Sequence, residues 1–264
     1  HNSSDDGMEV FGGTHNPRYF VVTGADDDGL DTDVGWKGFM QFVIAVQKPT
    51  NTQSDNYVME IDSNNNEDAL PRQNGRISNF TFVHTSTATN AAIRLRGGAD
   101  FTFVNGIVTT PQACLNVIAG TTDNGGKSTI RPANAALDEA GPPVFNSVYF
   151  ACGTAGLTAE TAQNGVTVTN AEQAALVAAG TNNVSNGTAV NALTMGYLPG
   201  TGAAGVTVFN AASLNPAGTS FLVSTSYIGA ISGPSDTWYQ GWTCNSNRAN
   251  FGSTSTACTT VPVT

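Results

Sequence analysis

The chain has 264 residues, enough for one large domain or two modest ones with a buried core. Charged side chains make up 11% of it, against roughly 25% in an average globular domain, and Gly contributes 29 residues, so turns and strands are expected to dominate over helices. The formal charge of −10 argues against a nucleic-acid backbone or an anionic membrane as the main partner, and no apolar run is long enough for a transmembrane helix.

The charge is concentrated at the start. Residues 1–68 hold Asp5, Asp6, Glu9, Asp26, Asp27, Asp28, Asp31, Asp33, Asp55, Glu60, Asp62, Glu67 and Asp68 against only Arg18, Lys37 and Lys48, whereas the remainder is balanced. The chain opens His1-Asn2-Ser3 without Met or an apolar leader, which is read as a mature or trimmed product.

An internal repeat follows at once. Asp5-Asp6-Gly7-Met8-Glu9-Val10 and Asp27-Asp28-Gly29-Leu30-Asp31-Thr32 lie 22 residues apart, and the match continues with Gly13 on Gly35, Phe20 on Phe42 and Val21-Val22 on Val43-Ile44. Ala92-Ile93-Arg94-Leu95 falls on Cys114-Leu115-Asn116-Val117 with the same period, and Val58-Met59-Glu60-Ile61 reads as the same strand after a longer connection. Short strands are expected at Met8–Val10, Tyr19–Val22, Leu30–Thr32, Phe39–Val46, Met59–Ile61, Phe80–Val83, Ile93–Leu95, Phe101–Val104 and Val148–Phe150, with loop insertions at 49–56 and 63–76. Strands recurring at this period without crossover helices fit neither a doubly wound sheet nor propeller blades. They predict a parallel β-helix over residues 1–152, with five or six rungs stacked at about 4.8 Å. A β-sandwich is the rival, although hairpin turns would not require equal spacing.

Four cysteines in a lysine-poor chain suit an oxidising, extracytoplasmic compartment, and with no CxxC or Cys/His cluster a zinc site is not expected. Three pairings are open on paper. Cys114 precedes the strand Leu115–Val117 and Cys152 follows Val148–Phe150, which favours Cys114–Cys152 between successive rungs and Cys244–Cys258 closing a local loop.

Residues 153–264 form an irregular Ala/Gly/Thr-rich continuation or cap within the same domain. Asn170-Ala-Glu-Gln173 before an Ala/Leu run and Gly180 has the form of a capping box, predicting one short helix over 171–179. Residues 220–232 read as strand. Trp238, Tyr239 and Trp242 form the densest aromatic cluster, either a ligand-binding platform for carbohydrate or a cap on the open end of the coil.

The stretches Ser4–Thr14, Val21–Asp33, Asn66–Arg72, Arg94-Leu95-Arg96-Gly97-Gly98 and Asp236–Cys244 resemble bacterial secreted or lipid-anchored right-handed parallel β-helix repeat proteins. The resemblance covers most of the chain. It implies an extracytoplasmic, cell-surface protein and carries no assigned reaction.

Apolar residues at the first and third positions of each leading strand should point into the coil, so the residue between them points out. That outward column reads Glu9, Asp31, Glu60, Arg94, Asn116, and a second reads Phe11, Asp33, Asp62, Arg96, Ile118. Stacked carboxylates repel unless neutralised, and Ca²⁺ tolerates irregular carboxylate sets. A calcium site among Glu9, Asp31, Asp33, Glu60 and Asp62 is one expectation; a solvated face with Arg94 offsetting Glu60 is the other. The Asp-Asp-Gly corners read first as turn formers.

Such a groove also looks like the active face of polysaccharide lyases and pectin-type hydrolases. Arg94 or Arg96 would then serve as base in a lyase, and Asp31, Asp33 or Asp62 as acid and base in a hydrolase. Gly-His-Gly and Arg-Ile-Lys signatures are absent, and His1, His15 and His84 are scattered. The leading expectation is a non-catalytic surface protein that binds an extracellular glycan or assembles with itself through open coil ends, with a polysaccharide-active enzyme and a purely structural layer as alternatives.

Overall fold

Ten strands of the repeat region alternate between two parallel sheets in the computed structural model, which describes residues 1–50, 53–63, 67–85, 90–120 and 127–258. In chain order they are β1 (Glu9–Phe11), β2 (Arg18–Thr23), β3 (Leu30–Asp33), β4 (Phe39–Val46), β5 (Met59–Ile61), β6 (Asn74–Val83), β7 (Ile93–Leu95), β8 (Asp100–Thr109), β9 (Leu115–Val117) and β10 (Val144–Ala151). The odd strands form one sheet and the even strands the other, each strand parallel to its neighbours. The chain therefore winds through five coils. Parallel strands joined through a second sheet need no crossover helix, and among the described residues of these connections there is only one 3-10 turn, Ala135–Leu137. The insertions expected at 49–56 and 63–76 lie partly outside the described residues, at 51–52 and 64–66; Asn66 lies there too.

The inward positions pack as the alternation requires. Val10, Leu30, Met59, Ile61, Ile93, Leu95, Leu115 and Val117 from the odd strands meet Val22, Val43, Ala45, Phe80, Phe82, Phe103 and Phe145 from the even ones. Phe103 stacks on Phe145 at 4.8 Å, one coil above the next. Gly106 makes room for this column, because a Cβ there would lie 1.9 Å from the Phe80 ring.

Two sequence expectations fail within the coil. The even strands β2 and β4 pair Phe20 with Val43 and Val21 with Ile44, a 23-residue step, rather than Phe20 with Phe42. The reason is parity: Phe20 packs toward the core with Val43, while Phe42 sits on the outer side, stacked on Tyr19 at 4.9 Å. In addition, β6 and β8 start at Asn74 and Asp100, several residues before their apolar runs.

Each even strand bends once, at a residue in the left-handed region. These residues form a column: Tyr19 (φ 57°), Phe42 (61°), Asn79 (52°), Asn105 (56°) and Ser147 (56°). The upper three hold the C-terminal part of the chain. The Ser147 hydroxyl donates to Thr207 O, the Asn105 side chain donates to Phe209 O and accepts from Phe209 N, and Asn79 Nδ2 donates to Tyr227 O at 3.0 Å. Residues 207–242 are thus an arm running back along the outer face of the even sheet toward the first coil. Residues 220–232, read as strand from the sequence, form none: the run bends at 226–230 and is held by scattered contacts, Val223 N to the Gln41 side chain, Ala230 N to the Thr81 hydroxyl and Gly229 N to Asn105 O, rather than by a continuous strand edge.

The upper end is covered. Helix α1 (Asn170–Ala179) packs Leu176 and Val177 into the core, and its Gln173 accepts from Val117 N and donates to Ala159 O and Val168 O. Thr169 rather than Asn170 is the N-cap, in a capping box with Glu172, since Gln173 is turned inward to cap β9. Leu115 bridges Thr158, and Tyr149 bridges Val184. Cys114 is bonded to Cys152 and Cys244 to Cys258. The last rung is consequently covered by the chain that follows it. No helix among the described residues is long and apolar enough to cross a membrane.

Candidate functional site

Parallel pairing turns the sequence period into a face. Glu9 lies beside Asp31, Asp31 beside Glu60, Glu60 beside Arg94 and Arg94 beside Asn116; in the next column Phe11 lies beside Asp33. Asp62 N bonds Thr32 O and Arg96 N bonds Ile61 O, which carries that column upward. The turns preceding β1 and β3 stack as well: Gly7 N donates to Asp28 O, and Asp28 N donates to Asp6 Oδ1 at 2.9 Å.

The corners therefore fold over the strand face. Asp5, Asp6, Asp27 and Asp28 join Glu9, Asp31, Asp33 and Glu60 around a cleft of about 280 Å³, with Asp55 and a single cation, Arg96, completing the wall. Ligand-competent oxygens lie within 4.8 Å of one another in three groups: Asp28, Asp31 and Glu60; Asp6, Glu9 and Asp31; Asp5, Asp6 and Asp27.

So many acids in so small a space resist ionisation. Burial raises Asp31 to about 9, helped by Glu60 and Asp33. Burial raises Glu60 to about 8 even though Arg96 opposes it, and lifts Asp27 and Asp33 to about 6 with the neighbouring acids. Asp28 is pushed well above the ordinary carboxylate range by burial and then by Glu60 and Asp31.

Asp31 joins the inner and outer groups. It is 7% exposed, its carboxylate makes no hydrogen bond or ion pair among the described residues, and its Oδ1 is fully buried. Buried oxygens of Asp27, Asp33 and Glu60 likewise accept no hydrogen bond. Buried polar atoms are ordinarily partnered, and an occupant supplying positive charge, or protonation of the acids themselves, would satisfy these oxygens. An all-carboxylate oxygen set fits a hard divalent cation.

Above the cleft the arginines are engaged. Arg96 Nη2 meets Glu60 at 2.9 Å and its Nε meets Asp62 at 2.8 Å, so Asp62 is turned to Arg96 and does not line the cleft. Arg94 meets Asp55 at 2.7 Å and lies over the Tyr57 ring, with Glu60 only at 3.8 Å. Burial alone would lower the Arg96 pKa, but Glu60 and Asp62 raise it above its usual value, so it holds its proton more firmly. It is Arg96, more than Arg94, that offsets Glu60.

The aromatic cluster divides. Tyr239 is 4% exposed and packs against Phe251, so it cannot offer a ring face to a ligand. Trp242 is 57% exposed, and Trp238 is half-buried against Tyr19. Sequence reasoning placed Glu9, Asp31, Asp33 and Glu60 on the face but read the corner acids as turns; the signal it underused was that Asp-Asp-Gly repeats in register with the strand, so the corners must stack too.

A family model described as a pectate-lyase like beta helix domain matches residues 1–243. No curated protein and no solved structure matches the chain.

Proposed function

Because the chain belongs to the pectate-lyase-like β-helix family, we propose that it is a non-catalytic binding protein on that scaffold, with a hard divalent cation, calcium by its ligand chemistry, in the acidic cleft. The observation that carries this reading is Asp31, a buried carboxylate with no partner among the described residues, shared between two groups of oxygens. Asp28, Asp31 and Glu60 would hold the inner cation, with Asp6 and Glu9 toward solvent. Calcium there would neutralise the face and fix the first three coils relative to one another.

Binding is favoured over turnover because Arg94 and Arg96 are both tied into ion pairs, which leaves neither as a proton acceptor. The two disulfides support a place outside the cytoplasm, and the likeness of the repeat segments to bacterial surface proteins supports a cell-surface site. An extracellular glycan is the partner we favour over end-to-end assembly, since α1 covers one end of the coil.

Thermal unfolding with calcium chloride and with EDTA tests the cation site. At a hundredfold excess over Kd, calcium should raise the midpoint by about 5–10 °C, and Asp31→Asn should abolish the rise. No rise in the native protein, or an equal one in Asp31→Asn, would refute the assignment.

A further inference from the structure

We propose that Tyr19, Trp238 and Trp242 form a stacking strip for a neutral saccharide on the outer face of the first coil, a second binding site that shares no residue with the acidic cleft.

The bend column is the first observation. In the upper coils its left-handed positions carry Ser147, Asn105 and Asn79, small polar residues whose side chains hold the arm. In the lower two coils the same position carries Phe42 and Tyr19. A bulky side chain at φ 57° is unfavourable, and Asn would be the natural occupant. Such a departure points to a use for the ring where it stands.

The rings then form a row. Tyr19 stacks on the buried Phe42, its centroid lies 5.3 Å from that of Trp238, and Trp238 lies 6.1 Å from Trp242. Tyr19 is 49% exposed, comparable with Trp242. Both indoles are fixed by their own N–H groups: Trp238 Nε1 donates to Ala230 O at 3.0 Å and Trp242 Nε1 donates to Trp238 O at 2.8 Å. Consequently both indoles are held in place before any ligand arrives, with Tyr19 and Trp242 as the exposed ends of the row.

A saccharide matches that surface. The C–H face of a pyranose packs on an aromatic ring while its hydroxyl rim seeks hydrogen-bonding groups. A cleft of about 170 Å³ beside Trp242, lined also by His1, Thr23 and Thr243, offers the rim acceptor lone pairs: the Thr243 hydroxyl donates to Tyr239 O and Thr23 Oγ1 meets His1 Nδ1 at 2.8 Å, and each oxygen keeps a lone pair for a sugar hydroxyl. A peptide dock would call for free indole donors to its carbonyls, and here both are spent on backbone oxygens. An anionic glycan would face the formal charge of −10, so the neutral class is favoured.

The test is a titration of the full chain with neutral cello-, xylo-, manno- and chito-oligosaccharides, read by tryptophan fluorescence and calorimetry, in calcium and in EDTA. One series should bind, at the same affinity in both buffers, and Trp242→Ala should weaken it by about tenfold or more. Tyr19→Asn gives the bend column its usual residue type, so it should fold at least as well as the native chain and still bind about tenfold more weakly. No binding by any series, or full affinity in both variants, overturns the proposal. Binding lost in EDTA would move the ligand to the cation cleft, and a proline-rich peptide bound with the same sensitivity to Trp242→Ala would overturn the saccharide assignment. Calcium stabilisation lost through Asp31→Asn with saccharide binding intact would show that the two sites are separate.

Discussion

Asp31 shows how far one side chain can be shifted by its place in a stack. Its folded pKa of about 9 stands above the ordinary value of about 3.9, with burial as the main cause and Glu60 next. A carboxyl raised by folding contributes its stability in full below the unfolded pKa and loses it as pH rises through the folded one. With calcium chelated, the midpoint of thermal unfolding should therefore fall between about pH 4 and pH 9, through the contributions of Asp27 and Asp33 at about 6, Glu60 at about 8 and Asp31 at about 9. Asp31→Asn in EDTA should show a shallower fall, because Asn carries no charge to be buried. Melts of both proteins across this range check it, and parallel slopes would mean that Asp31 ionises freely. The strand acids of this cleft were readable from the sequence, Glu9 and Asp31 by their 22-residue spacing and Glu60 by the same strand pattern after a longer connection. That Asp31 finds no partner among the described residues was not, since it depends on Arg96 turning to Glu60 and Asp62 instead.

At the level of elements, alternation located every odd strand to within a residue or two, because one face of each strand meets the core and the other the acid column. The even strands were harder. All eight residues of β4 are buried, the outer ones beneath the arm, so alternation carries no information about which side faces in and the register was misread by one. The bend column is the device that the apolar pattern concealed, although Asn79 and Asn105 occupy equivalent positions. Asn105→Ala should cost about 2–4 kcal/mol in urea unfolding, since it removes both hydrogen bonds to Phe209 and forces a Cβ-bearing residue without a polar side chain into the left-handed region. Asn105→Gly, which keeps the backbone conformation, should cost less. Equal losses would assign the whole effect to the hydrogen bonds.

For the molecule as a whole, the decisive feature is the return of the chain from the last coil to the first. Helix α1 and residues 157–184 cover the edges of β9 and β10, so head-to-tail stacking has no free surface at that end. Sedimentation over a wide concentration range should show no growth into long head-to-tail species, because the covered end cannot accept another copy. Growth into long filaments would require α1 to detach and would contradict this arrangement. The sequence alone determined the coil, the inward residues of the odd strands and the stacking of Glu9, Asp31 and Glu60, and favoured the cysteine pairs found, because parallel strands in register convert a linear period directly into a column. Only the tertiary structure decided that the corner acids close over that column, that the arginines are engaged, and that Tyr239 is buried while Tyr19 joins Trp238 and Trp242. Those outcomes depend on contacts between segments distant in sequence, set by the path of the arm across the sheet, and no local period encodes that path.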